Sequence, residues 1–337
     1  MIVEMRVGAT QAQVDAVVVR AKQYGLNTQL NIGTDKVVVA LLGSDTGRIP
    51  TEVFEVLPGV ASVTRIMRPY KLASREFRDS PSIVDVHGVQ VGGPKIVVMA
   101  GPCSIESMDQ LMTTARSVQA AGATIVRGGA YKPRSSPFSF QGLGDEGISL
   151  LRSVGRQLDM PVVSEITDPH SLDEMVEQVD ILQIGARNMQ NYVLLRAVAS
   201  AGKPCILKRG LAATITEWLQ AADYLLASSA PVILCERGIR TFETSTRFTL
   251  DISSIAVVKQ SSHLPVIVDP SHAAGHHALV PTLARAAVAA GADGLLIEVH
   301  PDPKNALSDG LQSLDLPAFD ALMVTLKAIA QAVGRSI

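Results

Sequence analysis

The sequence predicts a two-part α/β protein: a small ferredoxin-like βαββαβ domain over residues 1–72, then a (β/α)8 TIM barrel over residues 95–337. Two observations carry this prediction. The first 70 residues alternate between short strand and helix patterns in the order of a split βαβ motif. From Lys95 onward, apolar strands alternate regularly with helical stretches. The length of 337 residues also exceeds that of an average single domain.

The first domain begins with the strand IVEMRV and a helix that starts at Thr10 and ends at Gly25. The segments NTQLNIG and KVVVALLG read as two strands around the turn residues 33–35. A short helix, PTEVFEVL, and a fourth strand, VASVTRIM, complete the domain. Apolar residues of the first helix recur at the spacing of one helical face, at Val14, Val17, Val18 and Ala21.

A polar connector over residues 73–94 separates the two domains. Its first half, SREFRDSPS, has the composition of a loop, and IVDVHGVQVGG predicts a small hairpin. This places the domain boundary within the connector.

The remaining chain predicts eight strand–helix units in about 240 residues, the count and size of a (β/α)8 barrel. The strands are apolar almost throughout, as in a parallel sheet that is covered on both faces. A doubly wound sheet is the main alternative, but no GxGxxG motif opens a helix after the first strand. The predicted strands are KIVVMAG, ATIVRGG, PVVSEI, ILQIGA, PCILKRG, PVILCERG, PVIVDPS and GLLIEVH.

The composition excludes several classes of protein. The net charge of −2, from 30 basic and 32 acidic residues, gives no electrostatic case for nucleic acid or an anionic membrane. Three cysteines cannot build a disulfide scaffold, and no apolar run is long enough to span a bilayer. The first ten residues lack the apolar core of a secretion signal. We therefore expect a soluble cytoplasmic protein.

Charged residues follow the predicted barrel strands, at the end where barrel enzymes carry their chemistry. Ordinary rim polarity would explain any one of them, but four of the eight strands end in or are directly followed by Arg or Lys. A ring of cations at one mouth predicts a highly anionic, phosphorylated substrate. The cations are Arg127, Lys132, Arg134, Arg187, Lys208, Arg209 and Arg237.

Four other residues at this mouth have side chains that bind divalent transition metals: Cys103, His272, Glu298 and Asp309. Barrel closure would bring the ends of the first, seventh and eighth strands together. Taken alone, Cys103 also fits a buried small hydrophobe, and His272 fits a structural histidine. Their spacing along the chain does not decide between these interpretations.

The segment KPRSSPFSFQG, which starts at Lys132, has the features of a phosphate-binding loop. A lysine and an arginine flank a proline that restricts the backbone, and two serines follow with hydroxyl and N–H donors. A solvated basic loop is the alternative.

Taken together, these motifs resemble the 3-deoxy-D-arabino-heptulosonate 7-phosphate (DAHP) synthase family, in its short type I beta branch with an N-terminal ferredoxin-like regulatory domain. The resemblance covers residues 95–337 and, for the regulatory domain, about the first 70. Pro133-Arg134 distinguishes the chain from 3-deoxy-D-manno-octulosonate 8-phosphate synthases, which carry Ala-Asn there. The motifs are GPCSIES, RGGAYKPRSSPFSFQG, QIGARNMQN, LKRG, LCERGIRTFE, VDPSH and IEVHPDPKNALSDGLQSL.

The resemblance implies an aldol-like condensation of phosphoenolpyruvate with D-erythrose 4-phosphate and water, which releases phosphate and opens the shikimate pathway. It implies Lys132, Glu165 and His272 as catalytic residues, and Cys103, His272, Glu298 and Asp309 as metal ligands. Erythrose 4-phosphate would bind at Lys132, Pro133, Arg134 and Ser135. The phosphoenolpyruvate site would comprise Arg127, Lys132, Gly185, Ala186, Arg187, Lys208 and Arg237.

The resemblance also implies a divalent metal ion, with Mn²⁺ the first expectation and Co²⁺, Zn²⁺, Fe²⁺ and Cd²⁺ the alternatives. It implies an aromatic amino acid effector, tyrosine or phenylalanine, at the N-terminal domain, and a homotetramer. The alternative functions are an octulosonate synthase or related phosphoenolpyruvate–sugar condensing enzyme, and a non-catalytic barrel that senses phosphorylated metabolites.

Overall fold

The computed structural model describes residues 1–33, 37–43, 46, 48–65, 69–132, 136 and 138–337. The chain forms two compact units, Met1–Ser80 with Ser261–His263, and Pro81–Gln260 with Leu264–Ile337. The predicted turn residues Thr34 and Asp35 lie outside the described part of the chain.

The first unit contains a four-stranded antiparallel sheet in the order β2-β3-β1-β4, the arrangement predicted for a ferredoxin-like domain. Helix α1 buries the face formed by Val14, Val17 and Ala21, because residues three and four apart share one side of a helix. Gly25, with φ +70°, follows its end. The elements are β1 (Ile2–Met5), α1 (Gln11–Gln23), β2 (Asn27–Ile32), β3 (Val37–Leu42), α2 (Glu52–Glu55) and β4 (Val60–Thr64).

The second unit is a closed eight-stranded barrel, as predicted, in which each barrel strand pairs in parallel with the next. The first and last strands complete the circle, with Gly101 opposite Glu298. The strands are β7 (Val97–Gly101), β8 (Ile125–Arg127), β9 (Val162–Ile166), β10 (Ile181–Ile184), β11 (Cys205–Lys208), β12 (Val232–Glu236), β13 (Val266–Val268) and β14 (Gly294–Glu298).

The helices of this unit follow the strands and use standard end signals. Helix α3, for example, begins where the Ser107 hydroxyl accepts a hydrogen bond from Gln110 N and ends at Gly122, whose φ is +112°. The helices are α3 (Met108–Ala121), α4 (Asp145–Leu158), α5 (Leu172–Gln178), α6 (Tyr192–Ser200), α7 (Ile215–Leu226), α8 (Ser253–Ser261), α9 (Pro270–Ala274), α10 (Val280–Ala289) and α11 (Leu316–Ala332).

The predicted hairpin precedes the barrel as β5 (Val84–Val86) and β6 (Val89–Val91). Its side chains Val84, Val86 and Val91 belong to the same buried cluster as barrel-interior residues such as Val97 and Ile125. The barrel interior is therefore a packed core. The charged side chains singled out from the sequence lie at the carboxyl-terminal ends of the barrel strands. Within the described residues, no helix is both long and apolar enough to cross a membrane.

Gly101, the last residue of β7, provides a test of this packing. It has φ +153°, and a Cβ added there would lie 2.1 Å from the carbonyl oxygen of Arg127. We expect Gly101→Ala to lower the free energy of unfolding by about 3 kcal/mol or more, since backbone cannot move aside easily. Urea unfolding measures this change.

Gly202→Ala is the matched control. Gly202 also has positive φ, +67°, but nothing lies within 4 Å of an added Cβ. The control should cost only about 1 kcal/mol, the strain of an L-residue in this region. Equal effects of the two substitutions would show that the close approach of β7 and β8 is unimportant for stability.

Candidate active site

A cavity of about 720 Å³ lies at the carboxyl-terminal mouth of the barrel. Parallel strands all end at this mouth, so side chains remote in sequence converge there. Nine of its lining residues are among those singled out from the sequence: Lys132, Glu165, Gly185, Ala186, Arg187, Lys208, Arg237, His272 and Asp309.

Two cations at this mouth are buried in ion pairs. Lys208 Nζ lies 2.5 Å from Asp269 Oδ2, and Arg127 Nη1 lies 3.2 Å from Glu298 Oε1. A buried charge is costly unless it is paired, and each pair offsets that cost. Arg209 is also buried and paired, with Glu236 and Asp251, but it does not line the cavity.

Arg237 differs from these cations because the structure gives it no acidic partner among the described residues. It is buried, its Nη1 has no hydrogen-bond partner there, and its guanidinium stacks 4.1 Å from the centre of the Phe248 ring. Burial lowers the pKa of Arg237. A buried unpaired guanidinium facing a cavity is a strong binding group for an anion.

Beside these cations, Cys103, Glu298 and Asp309 place one ligand atom each within 4.8 Å of one another. Cys103 follows β7, Glu298 ends β14, and Asp309 lies in the loop beyond. The Cys103 thiol donates a hydrogen bond to Asp309 Oδ2 at 3.1 Å. Closure of the barrel between β7 and β14 therefore unites residues about 200 positions apart.

The ionisation states of this cluster follow from its burial and its charges. Burial, and then the charge of Glu298, raises the pKa of the Cys103 thiol to about 12. For Asp309, burial is outweighed by the hydrogen bond from Cys103 and by nearby cations, which hold its pKa at about 2. The resting cluster thus contains a protonated thiol and two carboxylates.

His272 lies at the edge of this cluster. Its Nε2 is 3.6 Å from Glu298 Oε1, and its Nδ1 is 2.7 Å from Asp269 Oδ2. Asp269 caps α9 by accepting a hydrogen bond from the backbone N–H of His272 at 2.9 Å. This cap holds the backbone of His272 and so positions the base of its side chain. Burial lowers the pKa of His272, which favours the neutral imidazole.

The structure brings three of the four expected ligands together, Cys103, Glu298 and Asp309, while His272 lies just outside this set; the chemistry of all four suits a divalent transition metal. A sulfur, an imidazole nitrogen and two carboxylates form a mixed donor set typical of such ions. Asp269 Oδ2 lies 2.7 Å from Nδ1 but not in hydrogen-bond geometry, and its proximity favours a proton on Nδ1, which leaves Nε2 as the nitrogen that could bind a metal ion. The thiol must lose its proton on binding, and Lys132 Nζ, 3.0 Å from Cys103 Sγ, supplies positive charge that favours this.

Glu165 lies on the wall of the same cavity. Gln183 Nε2 donates a hydrogen bond to Glu165 Oε2 at 3.1 Å. A Cβ at Gly185 would lie 2.0 Å from Glu165 Oε1, so a side chain at residue 185 would require this carboxylate to shift.

Other expected residues lie elsewhere or beyond the described range. Pro133, Arg134 and Ser135 lie outside the described residues, although the adjacent Lys132 and Ser136 both line the cavity. Cys205 and Cys235 are buried within β11 and β12, where a free cysteine acts as a small hydrophobic residue.

Sequence analysis missed several residues of this site. Arg240, Arg247 and Phe248, from the connection after β12, line the cavity, and Gln312 contacts Glu298. The unusual length and polarity of that connection were a detectable signal. A glutamine one turn beyond Asp309 carries no comparable signal.

Comparison with known proteins agrees with this geometry. The sequence profile described as the DAHP synthetase I family matches residues 82–334, and that of the DAHP synthase ferredoxin-like domain matches residues 1–68. A phospho-2-dehydro-3-deoxyheptonate aldolase of Thermotoga maritima is 45% identical over 335 residues, 99% of each chain. A 2-dehydro-3-deoxyphosphooctonate aldolase of Acidithiobacillus ferrooxidans is 34% identical over 255 residues, 70% of this chain and 90% of that protein.

Solved structures give the same result. The crystal structure of the Thermotoga maritima phospho-2-dehydro-3-deoxyheptonate aldolase (DAHP synthase) has a TM-score of 0.79 and 45% identity, and the match covers 99% of this chain and 98% of that one. A truncated form of the 3-deoxy-D-arabino-heptulosonate 7-phosphate synthase from the same organism has a TM-score of 0.75 and 46% identity, covering 79% of this chain and 98% of that one. The chain therefore belongs to the DAHP synthetase I family of enzymes and carries the family's ferredoxin-like domain at its N-terminus.

Proposed function

We propose that this enzyme condenses phosphoenolpyruvate with D-erythrose 4-phosphate and water to give 3-deoxy-D-arabino-heptulosonate 7-phosphate and phosphate, the first step of the shikimate pathway. The observation that carries the proposal is one cavity with a buried arginine, Arg237, that has no acidic partner among the described residues and lies beside a thiol–carboxylate cluster. Binding of anions and activation of a carbonyl are the two requirements of this reaction. Family membership supports the assignment of the sugar.

The reaction of the related octulosonate synthases is the alternative function, and it is less favoured for this chain. The heptonate aldolase matches 99% of the chain at 45% identity, whereas the octonate aldolase matches 70% at 34%. A non-catalytic sensor is also disfavoured, because simple binding of an anion requires no cluster of metal-binding side chains.

For phosphoenolpyruvate, we assign a site built from cations of the mouth, of which Arg127, Lys208 and Arg237 are buried. Arg237 and Arg187 are not engaged in ion pairs within the described structure, and both face the cavity. Lys208 and Arg127 are held in place by Asp269 and Glu298. Preorganised cations bind a phosphate and a carboxylate together without reorganisation. The proposed residues are Arg127, Lys132, Gly185, Ala186, Arg187, Lys208 and Arg237.

For erythrose 4-phosphate, we propose Lys132, Pro133, Arg134 and Ser135 by family resemblance. Lys132 and Ser136, on either side of the last three, line the cavity. Arg187 lies on the wall of the same cavity, and we propose that it contributes to both phosphate sites.

For the metal ion, we propose Cys103, His272, Glu298 and Asp309 as ligands and Mn²⁺ as the first candidate, with Co²⁺, Zn²⁺, Fe²⁺ and Cd²⁺ as alternatives. A divalent ion held there would act as a Lewis acid and polarise the aldehyde of the sugar. The neutral His272 and the ionised Asp309 are already in the states that ligands require.

As catalytic residues we propose Lys132, Glu165 and His272, of which Lys132 and Glu165 handle the water and its protons. Burial opposes the charge on Lys132, but the negative charges of Cys103 once it is ionised, of Glu298 and of Glu165 outweigh it and raise the pKa of Lys132, so the ammonium stays protonated as a donor. Glu165 lies on the cavity wall without an ion-pair partner in the described structure and is placed to orient the water. Both groups lie beside the space where the substrates would meet.

We further propose a cytoplasmic homotetramer that is inhibited by tyrosine or phenylalanine at the N-terminal domain. A cavity of about 320 Å³ within the first unit supports an effector site. It is lined in part by Glu4, Asn31, Phe77 and Arg78, which provide an anion, an amide, an aromatic ring and a cation. Such a mixture suits the ammonium, carboxylate and ring of an aromatic amino acid.

The substrate assignment is tested by the choice of aldehyde. With phosphoenolpyruvate, the enzyme should release phosphate much faster with erythrose 4-phosphate than with arabinose 5-phosphate, as measured by a phosphate assay. A preference for arabinose 5-phosphate would replace the proposed function by the octulosonate reaction. Release with neither sugar would reject both.

The metal assignment predicts that excess chelator abolishes activity and that added Mn²⁺ restores it. Cys103→Ala should lose both bound metal, measured by equilibrium dialysis, and turnover, because the only sulfur donor of the cluster is removed. Its far-ultraviolet circular dichroism should match that of the wild type.

Cys205→Ala is the control, since Cys205 is equally buried but lies within β11. It should retain metal and turnover, with a modest loss of stability from the small cavity. Undiminished metal binding by Cys103→Ala would contradict the ligand assignment.

Deletion of residues 1–70 should leave the condensation intact and remove inhibition by tyrosine or phenylalanine. The barrel closes without any strand of the first unit, and a truncated relative has been solved as a structure. Steady-state rates with and without each amino acid measure the effect. Inhibition that persists after the deletion would move the effector site into the barrel.

A further inference from the structure

Gln312 is a buried amide that lies next to the thiol–carboxylate cluster. It ends the short turn Gly310–Gln312, immediately after Asp309, and is 2% exposed. Its Nε2 donates a hydrogen bond to Glu298 Oε2 at 2.5 Å. A buried polar side chain persists at low cost only when its hydrogen bonds are satisfied, so this contact fixes both residues.

Arg247 determines which way the amide faces. Its Nη1 donates a hydrogen bond to Gln312 Oε1 at 2.6 Å. An arginine offers only donors and an ionised carboxylate only acceptors, so the amide satisfies both partners in one orientation alone. The oxygen of Gln312 faces Arg247, and its NH₂ group faces Glu298.

The carboxylate of Glu298 is thereby held at both oxygens. Arg127 Nη1 donates to Oε1 at 3.2 Å, and Gln312 donates to Oε2. Ser271 Oγ accepts a hydrogen bond from the backbone N–H of Glu298 at 3.0 Å. Without the amide, Oε2 would lose its side-chain donor in the described structure, and the carboxylate would be less firmly oriented toward Cys103 and Asp309.

Arg247 also links this contact to a second proposed ligand. Its Nη1 lies 3.6 Å from Asp309 Oδ1. The connection after β12 therefore contacts Asp309 directly and Glu298 through one amide, while the same arginine lines the substrate cavity.

We propose that Gln312 is a positioning residue for the metal site. Its amide orients Glu298, and Arg247 in turn orients the amide. This inference rests on the proposed function, because it presumes that Glu298 binds a metal ion. Groups that hold metal ligands typically contribute a factor of 10–100 to affinity.

The test measures Mn²⁺ binding to the metal-free, full-length enzyme by equilibrium dialysis. Gln312→Met keeps the length of the side chain but removes both polar ends, and it should weaken Mn²⁺ binding about tenfold or more. Leu311→Ala is the control in the same turn; Leu311 is 76% exposed, and its substitution should leave Mn²⁺ affinity unchanged. A merely structural role of Gln312 would lower thermal stability without changing the affinity of the folded protein.

Gln312→Asn is a second variant in case Gln312→Met does not fold. Asparagine keeps the amide but is one methylene too short to reach Arg247 and Glu298 together, so it should also weaken Mn²⁺ binding. Wild-type affinity in either folded variant would overturn the inference. Failure of the wild-type enzyme to bind Mn²⁺ or any of the four alternative ions would instead reject the metal role in the proposed function, and the inference with it.

Discussion

The pairing of β14 with β7 closes the barrel and determines where the chemistry can occur. Gly101 pairs opposite Glu298, so Cys103, two residues later, reaches the same point as the end of the last strand. Gly101 permits this approach because a side chain there would collide with the Arg127 carbonyl. A register shift of one residue would turn these side chains to the other face of the sheet and disperse the cluster.

Charge balance is the second constraint on the mouth of the barrel. Most buried cations have an acidic partner: Lys208 pairs with Asp269, and Arg127 pairs with Glu298. These partners are themselves joined to His272, so the proposed substrate-binding and metal-binding groups form one network. Arg237 lacks such a partner within the described residues, and the free energy cost of its burial is best offset by an anionic ligand.

The connection after β12 contributes both to the substrate cavity and to the support of the proposed metal ligands. Arg247 lies in the wall of the cavity, contacts Asp309 and orients Gln312, which in turn holds Glu298. An arginine can do this because its planar group carries several donors in fixed directions. The proposed ligands are thus supported from a third segment of chain, well separated in sequence from Cys103 and from Glu298.

The sequence by itself determined both fold classes, because hydrophobic periodicity and glycine stops are local properties that survive without tertiary contacts. It also placed Arg127, Lys208, Arg237, Cys103 and Glu298 at strand ends, since a barrel has only one carboxyl-terminal mouth. The tertiary structure decided which of these side chains touch, which buried cation lacks an acidic partner among the described residues, and that Gln312 contacts Glu298. Such facts depend on register, rotamers and loop paths, which arise from contacts between residues remote in sequence and leave no local pattern.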